Sequence, residues 1–157
     1  MDSRFRGNDA ITMSNDIPEG FKAVEHTGPF LGRNGPLYYK KVDGKPVLGI
    51  RIEERHTNMR GIVHGGMLVT IADSALGTVL YSARKPPQPM VTVSLTTDFI
   101  ESAYPGDWVE AHVDVLRIGS RLAYANCYLQ VGERRILRAS AVFAVVPEVK
   151  PKEESEG

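Results

Sequence analysis

The segment GGMLVTIADSALGTVLYSA, residues Gly65–Ala83, limits the folds that are open to this chain. On a helical wheel of about 3.6 residues per turn, a stripe of eight apolar side chains covers well over half of the circumference. The stripe consists of Met67, Leu68, Ile71, Ala72, Ala75, Leu76, Val79 and Leu80. Asp73 is the only charged residue in the segment. Surface helices carry charges along one face, so a helix of this composition must be enclosed by other elements. The sequence therefore predicts one long central helix that runs from about His64 to Ala83.

The chain on both sides of this helix has the two-residue alternation of β-strands. Asp43-Gly44 is a hairpin-turn dipeptide that is predicted to join strands at Leu37–Lys41 and Val47–Arg55. After the helix, Gly119-Ser120 and Gly132-Glu133 are predicted two-residue links between antiparallel strands. The first strand after the helix is predicted to place one set of side chains, Val91, Val93, Leu95, Thr97 and Phe99, on one face and the other set, Thr92, Ser94, Thr96 and Asp98, on the opposite face.

A curved antiparallel sheet of five to six strands is the only material available to enclose the helix. A sheet of this kind wrapped around one long central helix is the hotdog fold, an α+β architecture. A ferredoxin-like layering is the alternative, but it requires a second helix, which the pattern does not predict. We expect a single domain at residues 17–147, with disordered polar tails at residues 1–16 and 148–157.

The composition excludes several classes of function. The 157-residue chain has 19 basic and 19 acidic residues, so it lacks the positive charge that nucleic-acid binding requires. Cys127 is the only cysteine, which rules out an intrachain disulfide and a thiolate metal cluster. Neither a signal peptide nor a membrane span is predicted, because Asp73 interrupts the long uncharged segment. We therefore expect a cytoplasmic protein with no membrane contact.

Asp73 is the first candidate for a catalytic residue. Burying an unpaired carboxylate costs several kcal/mol, about 2 or more on most scales, so an apolar helix keeps one only for a reason. Thr70 and Gly77 are small neighbours on the helix surface, and they would let a groove approach the carboxylate. The alternative is a structural carboxylate that a neighbouring side chain satisfies within a subunit contact. We favour the functional interpretation.

The start of the helix is the second candidate feature. Gly65 and Gly66 leave backbone N–H groups uncovered where the helix dipole adds partial positive charge. Such groups can bind a carbonyl oxygen as it becomes an oxyanion, although paired glycines also allow close packing. His64 has no companion at metal-ligand spacing, so an orienting or capping role is favoured.

The spacing of these two features has a consequence for assembly. Gly65 and Asp73 are eight residues apart, which is about 12 Å along a helix. One carbonyl group cannot contact both in the same chain. If both act on one substrate, they come from two subunits, and the protein is at least a dimer.

The pattern Asn58-x5-His64-Gly65-Gly66-x6-Asp73, followed by Val91-Thr-Val-Ser-Leu, Phe99 and Pro105-Gly106-Asp107, resembles the hotdog-fold acyl-CoA thioesterases of the phenylacetyl-CoA thioesterase type. The resemblance extends from about Leu37 to Val146. The N-x5-HGG-x6-D spacing is its most specific part, whereas the strand pattern is generic to hotdog proteins.

The resemblance implies a role for each residue of the pattern. The Gly65 N–H would polarise the thioester carbonyl, while Asp73 of the partner subunit would act as general base or as nucleophile. Asn58 and His64 would hold the water and the loop, and Thr92 would support the water. Gly66 and Gly77 are expected to line the acyl-CoA site. Relatives of this type are commonly dimers of dimers, that is homotetramers, with no metal and no cofactor beyond the CoA of the substrate.

Cations near the groove are expected because CoA carries phosphates. Arg117 and Arg121 flank the link at Gly119-Ser120, and Arg138 lies on a neighbouring strand. Ordinary solvated charges are the alternative for each of them. We expect His56, His112 and Cys127 to be structural, and Gly32-Arg-Asn-Gly35 to be a turn rather than a nucleotide-binding loop.

Three functions remain open at this point. The leading one is hydrolysis of a small aromatic or a short- to medium-chain acyl-CoA to the free acid and CoA. The second is a hotdog hydratase or dehydratase acting on an acyl thioester, although Asn58 stands where one such motif has its acid. The third is a non-catalytic acyl-CoA-binding protein, which the retained Asp73 disfavours.

Overall fold

The central helix begins at Gly65 and ends at Ala83 in the computed structural model, which describes residues 16–147. The predicted tails lie outside the described residues, apart from Asp16. In chain order the elements are β1 (Lys22–Ala23), α1 (Gly28–Asn34), β2 (Tyr38–Val42), β3 (Lys45–Arg51), a 3-10 turn (Glu54–His56), α2 (Gly65–Ala83), β4 (Met90–Phe99), β5 (Trp108–Ile118), β6 (Leu122–Val131) and β7 (Arg134–Val145).

The strands form one antiparallel sheet in the order β1-β2-β3-β5-β6-β7-β4. Helix α2 packs on one side of this sheet and contacts β3 to β7. The predicted hotdog fold is therefore confirmed. The sheet has seven strands rather than five to six, because the two-residue strand β1 adds to the edge of the predicted hairpin. Strand β4 follows the helix and, among residues 16–147, pairs only with β7, which makes it the edge strand at the other end of the described sheet.

The turns follow from residues that accept positive φ. Asp43 and Gly44 have φ values of 52° and 77°, as a type I′ hairpin turn requires. Gly132 has φ of 58° and forms the predicted two-residue link between β6 and β7. The link after β5 is one residue longer than predicted. It comprises Gly119 to Arg121, and the Gly119 N–H closes it by donating to the carbonyl of Leu122 at 2.8 Å.

Helix α1 was not predicted, and the prediction of a turn at Gly32 to Gly35 was wrong for most of its length. Residues 32–34 belong to α1, which ends where the Gly35 N–H donates to the carbonyl of Leu31. The segment has two glycines and little apolar periodicity, so its helical propensity is low. A proline in the first turn, whose fixed φ suits a helix start, is its main favourable feature.

One face of α2 supplies the core. The eight apolar residues of the predicted stripe are the eight that are buried, and several of them are fully buried beside Ile50, Val109, Leu129 and Leu137 of the sheet. Burial of each Leu or Ile stabilises the fold by about 1.5–3 kcal/mol. The buried residues of α2 are Met67, Leu68, Ile71, Ala72, Ala75, Leu76, Val79 and Leu80.

Residues 16–147 leave the opposite face of α2 uncovered, so the expectation that they enclose the helix completely was wrong. Thr78 and Tyr81 are exposed there, and Thr70 and Ser74 are half-buried. The hydroxyls of Thr70 and Ser74 donate to helix carbonyls four residues earlier, at 2.9 and 2.7 Å. By length and composition alone α2 could cross a membrane, but its apolar face is used in the protein core.

The strand β4 departs from simple alternation. Thr92 pairs with Phe143 and Ser94 pairs with Val142, so Val93 is an extra residue that forms a β-bulge. From Leu95 onward the predicted faces are correct. Before the bulge they are reversed, and Thr92 lies on the same face as Leu95, which is the face toward the helix.

Candidate active site

Asp73 and Thr92 are brought together between α2 and β4. The Thr92 Oγ1 donates a hydrogen bond to the Asp73 Oδ1 at 2.5 Å. Asp73 is half-buried and Thr92 is exposed, so solvent reaches this pair in the single chain. The bulge at Val93 permits the contact, because a regular strand would direct the Thr92 hydroxyl to the other face. The carboxylate keeps its second oxygen, Oδ2, without a hydrogen-bond donor among residues 16–147.

The two glycines at the start of α2 differ in the hydrogen bonding of their N–H groups. His64 is the N-cap, and its Nδ1 accepts a hydrogen bond from the Gly66 N–H at 2.8 Å. The Met67 N–H donates to the His64 carbonyl at 2.9 Å. Within the described part of the chain, the Gly65 N–H has no acceptor. Of the two glycine N–H groups, only that of Gly65 is therefore free to bind a ligand oxygen, whereas Gly66 is committed to the cap.

Asn58 lies in the turn that precedes the helix. Its own N–H donates to the Ile62 carbonyl at 2.9 Å, and its Oδ1 accepts from the Arg60 N–H at 2.9 Å. These bonds fix the turn, and the side-chain NH2 of Asn58 has no acceptor among the described residues. Asn58 and Gly65 line the same small cleft, of about 280 Å³, beside Phe99.

The Phe99 ring packs closely against Gly65. A Cβ atom at Gly65 would lie 3.2 Å from the Cε1 of the Phe99 ring, which is a tight contact. The ring is 56% exposed and forms one wall of the cleft. Phe99, the last residue of β4, thus contacts the first residue of α2. Thr92, near the start of β4, contacts the middle of α2.

His56 stabilises the segment that leads into α2, and the sequence did not predict the contacts by which it does so. The side chain is 3% exposed, its Nδ1 accepts from the Glu53 N–H at 2.9 Å, and its Nε2 donates to the Asn34 carbonyl at 2.7 Å. The His56 carbonyl also accepts the His64 N–H. Asn34 is 22 residues upstream, so no local spacing in the sequence indicated the contact.

Gly77 faces Phe143 of β7. A Cβ atom there would lie 3.4 Å from the Phe143 Cε1, which is close to an ordinary van der Waals contact. The role of Gly77 in substrate binding stays a prediction.

The predicted phosphate ligands fall into two groups. Arg117 near the end of β5 and Arg121 within the link that begins at Gly119 are exposed and line an open cleft of about 650 Å³. Neither guanidinium has a carboxylate partner within residues 16–147. Arg138, in contrast, donates from Nε and Nη2 to the Asp98 Oδ2 at 3.0 and 2.9 Å. It is an ion-paired surface residue, which favours the alternative of an ordinary solvated charge at this position.

Arg84 holds the Gly119 link in place. It follows α2 directly and is 8% exposed, and its Nη2 donates to the Gly119 carbonyl at 2.6 Å. Its Nε is buried without a partner in the described chain. A fixed cation therefore lies beneath the link that carries the two exposed arginines.

The remaining reactive side chains do not form a second centre. Cys127 is a buried free thiol, and burial raises its pKa from 9.0 to about 12. His112 contacts the Glu110 Oε1 at 3.2 Å on β5. Among residues 16–147 no group of three His, Cys, Asp or Glu side chains is arranged to hold a metal ion.

Comparisons with known proteins show that this chain is similar to esterases and thioesterases. The family model described as the thioesterase superfamily matches residues 60–136. A Pseudomonas aeruginosa protein named as a putative esterase is 43% identical over 129 residues, which covers 82% of this chain and 96% of that protein. Human acyl-coenzyme A thioesterase 13 is 29% identical over 116 residues, which covers 73% of this chain and 82% of the human protein.

Solved structures share the fold. The structure of the E. coli PaaI protein from the phenylacetic acid degradation operon has a TM-score of 0.69 and 17% identity, and the match covers 76% of this chain and 86% of that chain. At this level of identity the likeness concerns the fold alone.

Proposed function

Because this chain belongs to the thioesterase superfamily and is a thioester hydrolase, we propose that its substrates are acyl-CoA esters with a small aromatic or a short- to medium-chain acyl group. The products would be the free acid and CoA. The observation that carries the proposal is the Asp73 carboxylate, the one charge on α2, held by the Thr92 hydroxyl. The name of the human relative supports CoA esters as the substrate class.

Asp73 supplies the proton acceptor in this mechanism. Thr92 occupies Oδ1, which leaves Oδ2 to take a proton from water as the water oxygen attacks the thioester carbon. The C–S bond then breaks, and the proton passes to the departing thiolate. In the alternative route Oδ2 itself attacks the carbonyl carbon, and the C–S bond breaks as the CoA thiolate leaves. Water then hydrolyses the mixed anhydride that has formed. A thioester is activated enough for either route without a serine nucleophile.

The Gly65 N–H stabilises the oxyanion in our proposal. It is the free N–H at the positive end of the α2 dipole, where a developing negative charge is favoured. The side-chain NH2 of Asn58 borders the same cleft and can donate to the substrate carbonyl or to the water. His64 acts indirectly, because its cap on the Gly66 N–H fixes the geometry of the turn.

The two halves of the proposed site belong to different subunits. Asp73 and Gly65 lie on one continuous helix, about 12 Å apart by helical rise, so one chain cannot present both to one carbonyl. Both border the edge strand β4, whose outer side has no strand partner within residues 16–147. Val91 and Val93 on this strand are 53% and 60% exposed, which favours burial against a second copy.

We further propose that two such dimers associate into a homotetramer in the cytoplasm. The exposed side chain of Tyr81 on α2 supports a second interface. The cytoplasmic location is supported by the free, buried thiol of Cys127, because reducing compartments keep cysteines unpaired. The chemistry proposed for Asp73 requires no metal and no cofactor other than the CoA of the substrate.

The phosphates of CoA would bind at Arg117 and Arg121 in this proposal. Both guanidinium groups are free of carboxylates in the described chain, and Arg84 fixes the link between them. Neither of the other two functions considered has an observation in its favour. A hydratase needs a histidine as acid or base, but the Nδ1 of His64 is occupied by the cap, and a pure binding protein would not need the pair of Asp73 and Thr92.

The experiment is a thiol-release assay on purified protein with benzoyl-, phenylacetyl-, butyryl- and octanoyl-CoA. The wild type should release thiol from at least one of them, and Asp73→Asn should lower kcat by at least about 100-fold, as expected for loss of a general base. Asp114→Asn, which changes an exposed carboxylate on β5, is the matched control and should leave kcat unchanged. Full activity in Asp73→Asn, or no thiol release from any ester by the wild type, would refute the proposal.

A further inference from the structure

A second cavity lies on the other side of α2 from Asp73. It has a volume of about 520 Å³ and is bordered by the C-terminal half of α2, the hairpin of β2 and β3, and β5. Thr78, which lines it, is five residues after Asp73 and therefore about 140° away around the helix. The cavity shares no lining residue with the cleft at Asn58 and Gly65.

The wall of this cavity is mostly apolar. Val24, Tyr39, Pro46, Val79 and Val115 line it, and the size is within the range of about 300–1,000 Å³ that small-molecule sites have. When an apolar chain displaces water from such a cavity, apolar surface is removed from water and the free energy of the system falls.

The rim of the same cavity is positively charged. Lys41, Lys45 and Lys85 line it, together with the hydroxyl-bearing Thr78 and Ser82, and no acidic residue does. None of the three ammonium groups has an anionic partner in the chain from residue 16 to residue 147. Three like charges around one opening repel each other, and a bound anion relieves this repulsion.

We propose that this cavity binds a medium-chain fatty acid, with its hydrocarbon chain in the apolar interior and its carboxylate at the three lysines. A polyanion such as a nucleotide would satisfy the lysines but leave the interior unfilled, and a neutral hydrocarbon would do the reverse. An amphiphilic carboxylate matches both parts. The inference stands on the cavity and its charges, and it does not depend on the reaction proposed for Asp73.

Isothermal titration of the full chain with decanoate tests the proposal. The wild type should bind one decanoate per chain, and decanol, which lacks the charge, should bind at least about tenfold more weakly. Thr78→Trp places an indole at the mouth of the cavity from an exposed helix position, and it should abolish binding.

Charge reversal provides the matched pair of variants. Lys41→Glu should weaken decanoate binding by about tenfold, because an attraction becomes a repulsion. Lys22→Glu makes the same change in net charge at an exposed position outside the cavity, and it should leave the affinity unchanged. Circular dichroism melting of each variant verifies that it is folded.

The outcomes separate this site from the proposed active site. Asp73→Asn should bind decanoate as the wild type does. Decanoate binding that survives Thr78→Trp but is lost in Asp73→Asn would place the acid at the thioester site and overturn the inference. Equal affinities for decanoate and decanol, or a Thr78→Trp variant that loses subunit association in sedimentation instead of ligand binding, would overturn it as well.

Discussion

The hydrogen bond between Thr92 and Asp73 is the contact on which the proposed chemistry depends most directly. A hydrogen bond to a charged group is worth about 1.5–3 kcal/mol. The Thr92 hydroxyl fixes the rotation of the carboxylate and so decides where the free oxygen Oδ2 points. Thr92 is a positioning residue in this sense, since it acts on the substrate through Asp73.

We predict that Thr92→Val lowers kcat by roughly 10- to 100-fold with little change in KM, because the lost bond is worth about 1.5–3 kcal/mol. Thr92→Ser keeps the hydroxyl and should restore most of the activity. Thr96→Val, on the other face of β4, is the control. Steady-state kinetics on the best acyl-CoA substrate provide the measurement, and equal kcat values for Thr92→Val and the wild type would contradict a positioning role.

The buried thiol of Cys127 should make the free energy of unfolding depend on pH. Burial raises its pKa to about 12, whereas the thiol of the unfolded chain titrates near 9.0. Below pH 9 both states are protonated and the stability is unaffected. Above pH 9 unfolding releases a proton, so the free energy of unfolding should fall by about 1.4 kcal/mol per pH unit until the folded thiol also titrates.

Urea denaturation at pH 8.5 and 10.5 measures this effect, with Cys127→Ala as the reference that lacks the thiol. The wild type should lose more stability between the two pH values than Cys127→Ala does. Identical losses would show that other groups account for the whole dependence. In the native state the protonated thiol should also resist alkylation at pH 8.

At the scale of elements, the start of α2 depends on its cap. The His64 side chain satisfies the Gly66 N–H, and N-cap losses cost about 0.5–2 kcal/mol. We predict that His64→Ala lowers the free energy of unfolding by about 1 kcal/mol. His64→Asn keeps an acceptor that is favoured at N-caps and should recover most of this loss.

The measurement is urea denaturation at one protein concentration, followed by circular dichroism. His112→Ala, which removes an imidazole from the sheet face beside Glu110, controls for loss of a histidine away from α2. A His64→Ala variant as stable as the wild type would mean that water caps the helix equally well.

The elements differ in how far the sequence could predict them. The eight buried positions of α2 follow from the 3.6-residue period alone, and Asp43-Gly44 places its turn because both residues accept positive φ. Helix α1 has no such local signal. The pairing of Asp73 with Thr92 could not be derived from alternation, because alternation assigned Thr92 to the wrong face of β4.

At the scale of the whole molecule, the division of the proposed site between two subunits can be tested by complementation. Asp73→Asn removes the base, and Gly65→Pro removes the N–H. Proline is well suited to residue 65, because it is the first helical position and His64 before it has extended backbone with ψ of 132°. Only the exposed Phe99 ring must shift slightly to admit the new side chain.

We predict that each variant alone is nearly inactive, and that unfolding and refolding an equal mixture restores about a quarter of the wild-type activity. Half of the dimers in such a mixture are mixed, and each mixed dimer has one intact site of its two. Sedimentation of the mixture checks that dimers have formed. Activity that stays at the level of the separate variants would place both groups in one chain.

The arrangement of the subunits could be predicted from the sequence only in part. The distance between Gly65 and Asp73 follows from helical rise, so the requirement for a second subunit was accessible from the spacing. Which surfaces meet was not, because it depends on the edge position of β4 and on the uncovered face of α2, and both arise only when the strands are ordered in the sheet.

The bulge at Val93 makes the pairing of β4, as well as the identity of its residues, a condition for activity. A strand of the same length without the bulge would place Thr92 opposite Ala144 and away from α2, although every residue of the N-x5-HGG-x6-D pattern would remain. Deleting Val93 would instead remove the bulge and leave Thr92 opposite Phe143, on the face toward α2. Homologous genes with one codon fewer at this point can therefore keep the contact to the carboxylate, and the residue to compare with Thr92 is the one opposite Phe143 rather than the one three positions before Leu95.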